Sequence, residues 1–231
     1  MSGSAEYLDV SEAARILGVS TRHVARLGEA GEIRYIARGV VDRGSVAEFM
    51  RERQSSRARA WSEETAWGAV ALLSNVEVDW LGSVQLSRLR KRLRSMTPDD
   101  SGAHELMGRA RSRASIYTYE SYGYLSPRMK KEVISVGRRG LGMSQARRDH
   151  VDGYLDAESH ARLVKKYGLV QDARGTMTLR VTGFDLRVVK RIASAPSGAL
   201  AALDAAGSLD PREHGVGAHA LAKHLEDFAR G

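Results

Sequence analysis

The chain contains no cysteine. Disulfides and thiolate metal sites are excluded, and the composition fits a reducing compartment. It has no apolar run near the roughly 18 residues that a membrane-crossing helix needs, so no membrane association is expected. The opening Met1-Ser-Gly-Ser is polar and leads into no apolar stretch, so no signal peptide is expected either. The expected location is the cytoplasm. The short motifs of common catalytic sites are also missing. There is no HExxH, no Gly-x-Ser-x-Gly elbow, no phosphate loop ending in Gly-Lys-Ser/Thr and no GxGxxG. His214, His219 and His224 recur every five residues, a spacing that does not put them on one helix face, so a metal site is not expected. The pair Asp99-Asp100 follows Pro98 at a helix start, where the helix dipole accounts for it. No cofactor, no metal and no enzymatic activity are expected.

What is present is enough apolar residue, 42% of 231, to build a real core, in one large domain or two ordinary ones. The net charge is +8, and it is not spread evenly. Residues 1–54 carry eight Lys and Arg against eight Asp and Glu, and residues 149–231 carry eleven of each. Residues 55–148 carry seventeen against nine, so the whole excess lies there. A concentrated basic zone points to an anionic partner, either nucleic acid phosphate or an acidic protein face, or else it is a merely solvated surface.

The stretch Val19–Leu27 reads as a short helix. Ser20 is suited to cap it, Val24 and Leu27 share an apolar face, and Arg22 and Arg26 share the opposite one. Asp9 caps a preceding helix with Glu12 three residues on, the capping-box spacing. Ala13, Ala14 and Leu17 form its apolar face, and Gly18 is expected to end it. Gly28 and Gly31 loosen the end of the second helix. Ile33–Val41 then reads as a two-stranded wing, with Gly39 supplying the turn and Arg34, Arg38 and Arg43 placed to meet a phosphate backbone. A third helix, Ser45–Arg53, carries Val46, Phe49 and Met50 at helical spacing.

Taken in order, Tyr7-Leu-Asp-Val-Ser-Glu-Ala-Ala-Arg-Ile-Leu-Gly-Val-Ser-Thr-Arg-His-Val-Ala-Arg-Leu, then Gly31-Glu-Ile and Asp42-Arg-Gly-Ser-Val-Ala-Glu-Phe-Met, resembles the winged helix-turn-helix of the excisionase/MerR-like class. The resemblance implies a DNA-binding head in which Ser20, Thr21, Arg22, Arg26 and the wing residue Arg38 contact DNA. His23, Arg34 and Arg43 are further candidates. The chain departs from the pattern at His23 and Ala25, where Thr and Tyr are common, and at Gly44, where Ser often caps the third helix.

A polar, basic run, Arg51–Ala60, leads out of the head, as a tether or a frayed helix end. The boundaries expected are 6–54 for the head, 55–60 for a basic linker and 61–231 for a second domain. That second domain opens with Trp61, a helix capped by Ser62 that runs to Ser74, and Trp67 and Trp80 as core candidates. The most basic helix follows, Gly82–Met96. Leu86, Leu89 and Leu93 form its apolar stripe, while Arg88, Lys91, Arg92 and Arg94 face outward as extra phosphate or partner contacts, or as a solvated face. Thr97-Pro98 is read as a helix start, His104–Arg113 as a weaker helix and Ala114–Glu120 as a strand. Tyr117, Tyr119, Tyr122 and Tyr124, interleaved with Arg111, Arg113 and Arg128, either pack in the core or stack nucleobases. A short helix at Ser126-Pro127, a strand at Val133–Val136 and a glycine-rich basic loop at Gly137–Gly142 come next. Then come a strand at His150–Leu155, a helix Ala157–Tyr167 capped by Asp156 and closed by Gly168, and a hairpin from Leu169 to Thr182. Helices are expected over Pro196–Ala206 and Pro211–Ala229. The fold class expected is α+β, an N-terminal winged helix-turn-helix followed by a larger mixed α+β domain.

The second domain is similar to actinobacterial proteins that join such a head to an AbiEi-type antitoxin body, of type IV toxin–antitoxin pairs. The similarity rests on Ala60-Trp-Ser-Glu-Glu-Thr-Ala-Trp, the basic helix, the Tyr-rich strand and His150-Val-Asp-Gly-Tyr-Leu-Asp-Ala-Glu-Ser. It implies a sequence-specific transcription regulator that binds double-stranded DNA at its own promoter and counters a nucleotidyltransferase toxin, with a homodimer as a further expectation. The alternatives are an excisionase-like DNA-architectural factor without a toxin partner, and an RNA- or nucleotide-processing enzyme with its site after residue 60.

Overall fold

The protein is described from a computed structural model covering residues 7–17, 19–46, 49, 59–120, 125–137, 141, 151–172, 175–208 and 210–231. The chain divides into two compact units, Met1–Ala58 and Arg59–Gly231. Both mix helix and strand, and the fold class is α+β. Among the described residues no helix is long and apolar enough to cross a membrane.

The first unit runs β1 (Tyr7–Asp9), α1 (Val10–Leu17), α2 (Thr21–Glu29), β2 (Tyr35–Ala37) and β3 (Val40–Asp42), with residues 43–46 and 49 again helical. The capping box at α1 is closed in both directions. The Glu12 N–H donates to Asp9 Oδ1 at 2.8 Å, and the Asp9 N–H donates to Glu12 Oε2 at 3.0 Å. The expected two-stranded wing is instead part of a three-stranded antiparallel sheet in the order β1-β3-β2. Tyr7–Asp9 joins as an edge because Leu8 sits opposite Val41, and both side chains bury together. Gly28 lies one residue before the end of α2, and Gly31 just beyond it has a φ of 74°. The Tyr35 ring lies so close to Gly28 that a Cβ there would come within 2.3 Å of it. The third helix begins at residue 43, two residues before the expected Ser45. Asp42 takes the capping role, accepting from the Gly44 N–H at 3.0 Å. Ser45 is buried, and its hydroxyl donates to the Asp42 carbonyl and accepts from the Arg34 N–H. Gly18, Met50 and residues 51–58, including most of the linker, lie outside the described residues.

The second unit is built on a four-stranded mixed sheet in the order β4-β7-β6-β5, with β4 Ser115–Tyr119, β5 Ile134–Ser135, β6 Val151–Leu155 and β7 Met177–Val181. The expected hairpin from Leu169 to Thr182 is not formed. β7 inserts between β4, to which it is antiparallel, and β6, to which it is parallel. The parallel pair requires a crossover, and the helix Ala157–Tyr167 supplies it. Alternation along β6 and β7 splits the core. Val151, Leu155, Met177 and Leu179 pack with Leu125, which precedes the helix Ser126–Glu132, with Met129 of that helix and with Leu163 of Ala157–Tyr167. Tyr154 points to the other face, into the larger cluster built around Trp67, Leu89, Leu93, Leu106, Leu200 and Leu221.

Several helix bounds differ from the expectation. Helices run Glu63–Leu73, Ser83–Arg94, Asp100–Arg109, Leu186–Ala193, Ala199–Ala206 and Pro211–Arg230. Asp99, not Thr97-Pro98, caps the third of these. Its carboxylate accepts from the Thr97 hydroxyl and the Gly102 N–H, and those two bonds hold its pKa below the usual carboxylate value. The stretch His104–Arg113 splits into that helix and a 3₁₀ turn at Arg111–Arg113. The helix Leu186–Ala193 is not among the expected elements, although its buried Val189 and Ile192 keep helical spacing.

Between sheet and helices lies a buried polar network. Asp204 Oδ1 accepts from Arg113 Nη2 at 2.7 Å and from the Tyr154 hydroxyl at 2.7 Å. Arg180 grips both oxygens of Asp152, at 2.8 and 3.1 Å, and its Nε lies 3.6 Å from Asp204 Oδ2. Burial works against the charge on Arg180, but the carboxylates of Asp152 and Asp204 outweigh it and raise its pKa.

Candidate nucleic-acid interface

The candidate site is the outer side of α2. Only Val19 and Ser20, with residue 18, separate α1 from α2, and the Val19 N–H closes back on the Ala14 carbonyl at 3.0 Å. Ser20 is extended, and its hydroxyl accepts from the His23 N–H at 3.2 Å, which starts the helix where the sequence predicts. Val24 is fully buried and Leu27 nearly so, packed among Ala13, Ala14, Leu17, Ile33, Val41 and Val46. That packing fixes the rotation of the helix. Thr21, Arg22, Ala25 and Arg26 are therefore turned outward and exposed.

Two further features suit an anion. The first turn of α2 carries no acidic residue. Among the described residues no acceptor engages the backbone N–H groups of Thr21 and Arg22, which leaves the positive end of the helix open. At nine residues, α2 is roughly 13 Å long, close to the roughly 12 Å width of a DNA major groove.

The other expected contact residues are placed less uniformly. His23 is half-buried and borders a shallow depression together with Arg26, Glu29 and Glu32. Arg38 is exposed at the tip of the β2–β3 hairpin, where Gly39 adopts a φ of 79° that favours glycine. Arg34 reaches Asp42 at 3.4 Å, so its guanidinium is already partly neutralised. Arg43 is exposed at the start of the following helical turn.

In the second unit, Leu89 and Leu93 of Ser83–Arg94 are buried and Leu86 is half-buried, as the stripe predicts. The four outward cations are not equivalent. Arg88 and Lys91 are exposed and have no carboxylate partner among the described residues. Arg92 pairs with Glu105, which also accepts from Arg109 Nε at 2.6 Å. Burial would raise the Glu105 carboxyl, but the bonds from Arg109 and Arg92 outweigh it and hold its pKa low. Arg94 lies over the Phe228 ring, 5.6 Å from its centre. The Glu105–Arg109 pair is legible as an i,i+4 spacing; the Arg92 partner is not, because it comes from another helix.

Two of the four tyrosines lie among the described residues. Tyr119 is buried, and its hydroxyl lies 2.7 Å from His160 Nε2, while Tyr117 stacks on the same imidazole. Arg113 is sealed in the buried network and reaches no solvent-side ring. Tyr122, Tyr124, Arg138 and Arg139 lie outside the described residues. Among the described residues, no group of three His, Asp or Glu could hold a metal ion. His214 instead packs its ring against His104, with its Nδ1 at the Ala206 carbonyl. The chain matches no family model, no curated protein and no solved structure.

Proposed function

We propose that the protein is a sequence-specific, double-stranded-DNA-binding transcription regulator whose first unit is a winged helix-turn-helix. The observation that carries this reading is the two-sidedness of α2, with Val24 and Leu27 buried beneath and Arg22 and Arg26 exposed above. In this reading α2 enters the major groove, and Arg22 and Arg26 reach base edges or phosphates. The free N–H groups of Thr21 and Arg22, with Ser20 beside them, receive a phosphate at the helix start. Arg38 at the hairpin tip meets the neighbouring backbone.

The antitoxin role, countering a nucleotidyltransferase toxin in the cytoplasm, is supported by the similarity of the second domain. Two measurements test the whole reading. Gel mobility shifts on the duplex upstream of the protein's own gene should show specific binding. Co-expression with the adjacent gene should relieve its toxicity and yield a co-purified complex. Relief of toxicity by the second unit with no neighbour of nucleotidyltransferase type overturns the partner assignment, and absent binding to any duplex overturns the DNA assignment.

The basic helix adds a quantitative expectation. Of the four outward cations, Arg88 and Lys91 have neither a carboxylate nor a ring partner among the described residues, so in this reading they touch phosphate. Replacing both by glutamine should lower the slope of log affinity against log salt by about two, close to one per contact. An unaltered slope assigns that face to a protein partner instead.

A further inference from the structure

The sheet of the second unit ends on two unequal edges. β5 is only two residues long, and short edge strands are a common protection against stray pairing. β4 is five residues long, and Ala114 before it is also extended. The run Ala114–Tyr119 contains no charged residue and no proline, so none of the usual side-chain devices blunts it.

Hydrogen bonding shows which part of this edge is open. The Asp172 N–H donates to the Thr118 carbonyl at 3.0 Å, and the Glu120 N–H donates to the Val170 carbonyl at 3.1 Å. The even-numbered residues of β4 therefore direct their backbone groups away from β7, and residues 170–172 cover the far half. Ala114 and Ile116 direct theirs the same way, and among the described residues nothing accepts from or donates to them on that side. Ile116 is 53% exposed and Val170 62%, two of the large apolar residues left in solvent.

We propose that a second copy of this chain occupies the open half of β4, paired antiparallel about a two-fold axis at Ser115. In that register Ala114 of one copy lies opposite Ile116 of the other, and the reverse. All four open N–H and C=O groups are then satisfied by the same four groups of the second copy. The free set is its own complement, which a closed, two-fold contact requires. The strand brings no like charges face to face, and the two Ile116 side chains lie together on one side of the joined sheet.

The test needs no DNA, so it stands apart from the proposed function. Light scattering of the full chain should give twice the 25.3 kDa of one copy, and Ile116→Lys should return it to a monomer. The absence of cysteine makes the register measurable, because Ser115→Cys introduces the only thiol. Residues opposite each other at such a non-hydrogen-bonded position have Cα atoms about 4.5 Å apart, within disulfide reach. Mild oxidation should convert most of Ser115→Cys to a covalent dimer and leave Ser87→Cys, on the exposed side of Ser83–Arg94, uncrosslinked. A monomeric wild type overturns the proposal. So does a dimer that survives Ile116→Lys, or one that Ser115→Cys fails to lock, either of which would point to another surface or to an extended segment of a different protein on this edge.

Discussion

Replacing Arg22 and Arg26 together by alanine is expected to abolish specific DNA binding while leaving the first unit folded. Both side chains are exposed on the solvent side of α2, opposite the buried Val24 and Leu27. Alanine is the best helix former, so the helix itself loses nothing. A well-placed arginine contact discriminates by a factor of about ten or more, so the pair should cost roughly 30-fold to 10⁴-fold in affinity for the cognate duplex. The measurement is a titration of the upstream duplex against wild type and double variant, with thermal melts of both. Affinity should collapse with the melting temperature unchanged. The paired substitution to lysine separates the two kinds of contact. Lysine keeps the charge on phosphate but loses the planar fork that reads guanine, so overall affinity should survive better than preference for the cognate site. Equal affinity of the double alanine variant and wild type would remove α2 from the interface.

Replacing Asp204 by alanine is expected to destabilise the second unit by about 3–5 kcal/mol, the usual cost of stripping one partner from a buried ion pair. Asp204 is 2% exposed, and Arg113 and Arg180 beside it are 6% and 5% exposed. Its Oδ1 takes two donors, from Arg113 and Tyr154, and its second oxygen faces Arg180 without a hydrogen bond. Removing the carboxylate leaves the Arg113 guanidinium buried beside a phenol. Burial already opposes the charge on Arg113, and Tyr154 and Asp204 reverse that to raise its pKa. Arg180 keeps its two-oxygen grip on Asp152, so Arg113 bears most of the loss. Thermal and urea unfolding should show a melting temperature lower by on the order of 10 °C. The double variant Arg113→Met with Asp204→Leu should lose less than Asp204→Ala alone, because it leaves no unpaired charge. If the two variants are equally destabilised, packing and not charge holds this part of the core together.

Much of the first unit was legible along the chain because its determinants are local. Asp9 and Glu12, Ser20 and the His23 N–H, and the hairpin at Gly39 each act over two or three residues. The pattern of Val24 and Leu27 against Arg22 and Arg26 needs only the period of a helix. The entry of Tyr7–Asp9 into the sheet was not legible, because three residues carry too little pattern to name a partner strand. The packing role of Gly28 was not legible, for a similar reason. A glycine near a helix end looks like a terminator until the ring that lies over it, Tyr35, is seen.

In the second unit, Asp156, Gly168 and the leucine stripe of Ser83–Arg94 were plain from the residues themselves. The pairing of β7 was not. Alternation in Met177, Leu179 and Val181 announces a strand but is silent about its neighbours, and the nearest extended segment in sequence was the wrong one. Asp152, Arg180 and Asp204 carry no signal in the sequence, and Arg113 reads as a companion of the tyrosines, since a charged residue carries no mark of burial until another chain segment closes over it.

By itself, then, the order of residues determined where the helices start, which way α2 turns its arginines and where the positive charge accumulates. Short-range capping and helical periodicity are written into neighbouring residues. Only the tertiary structure decided which cations are free, which acids neutralise the others and which strand edge is open among the described residues. Those outcomes depend on contacts between segments as far apart as Arg113 and Asp204, whose meeting is set by the packing of the whole unit and by no local signal.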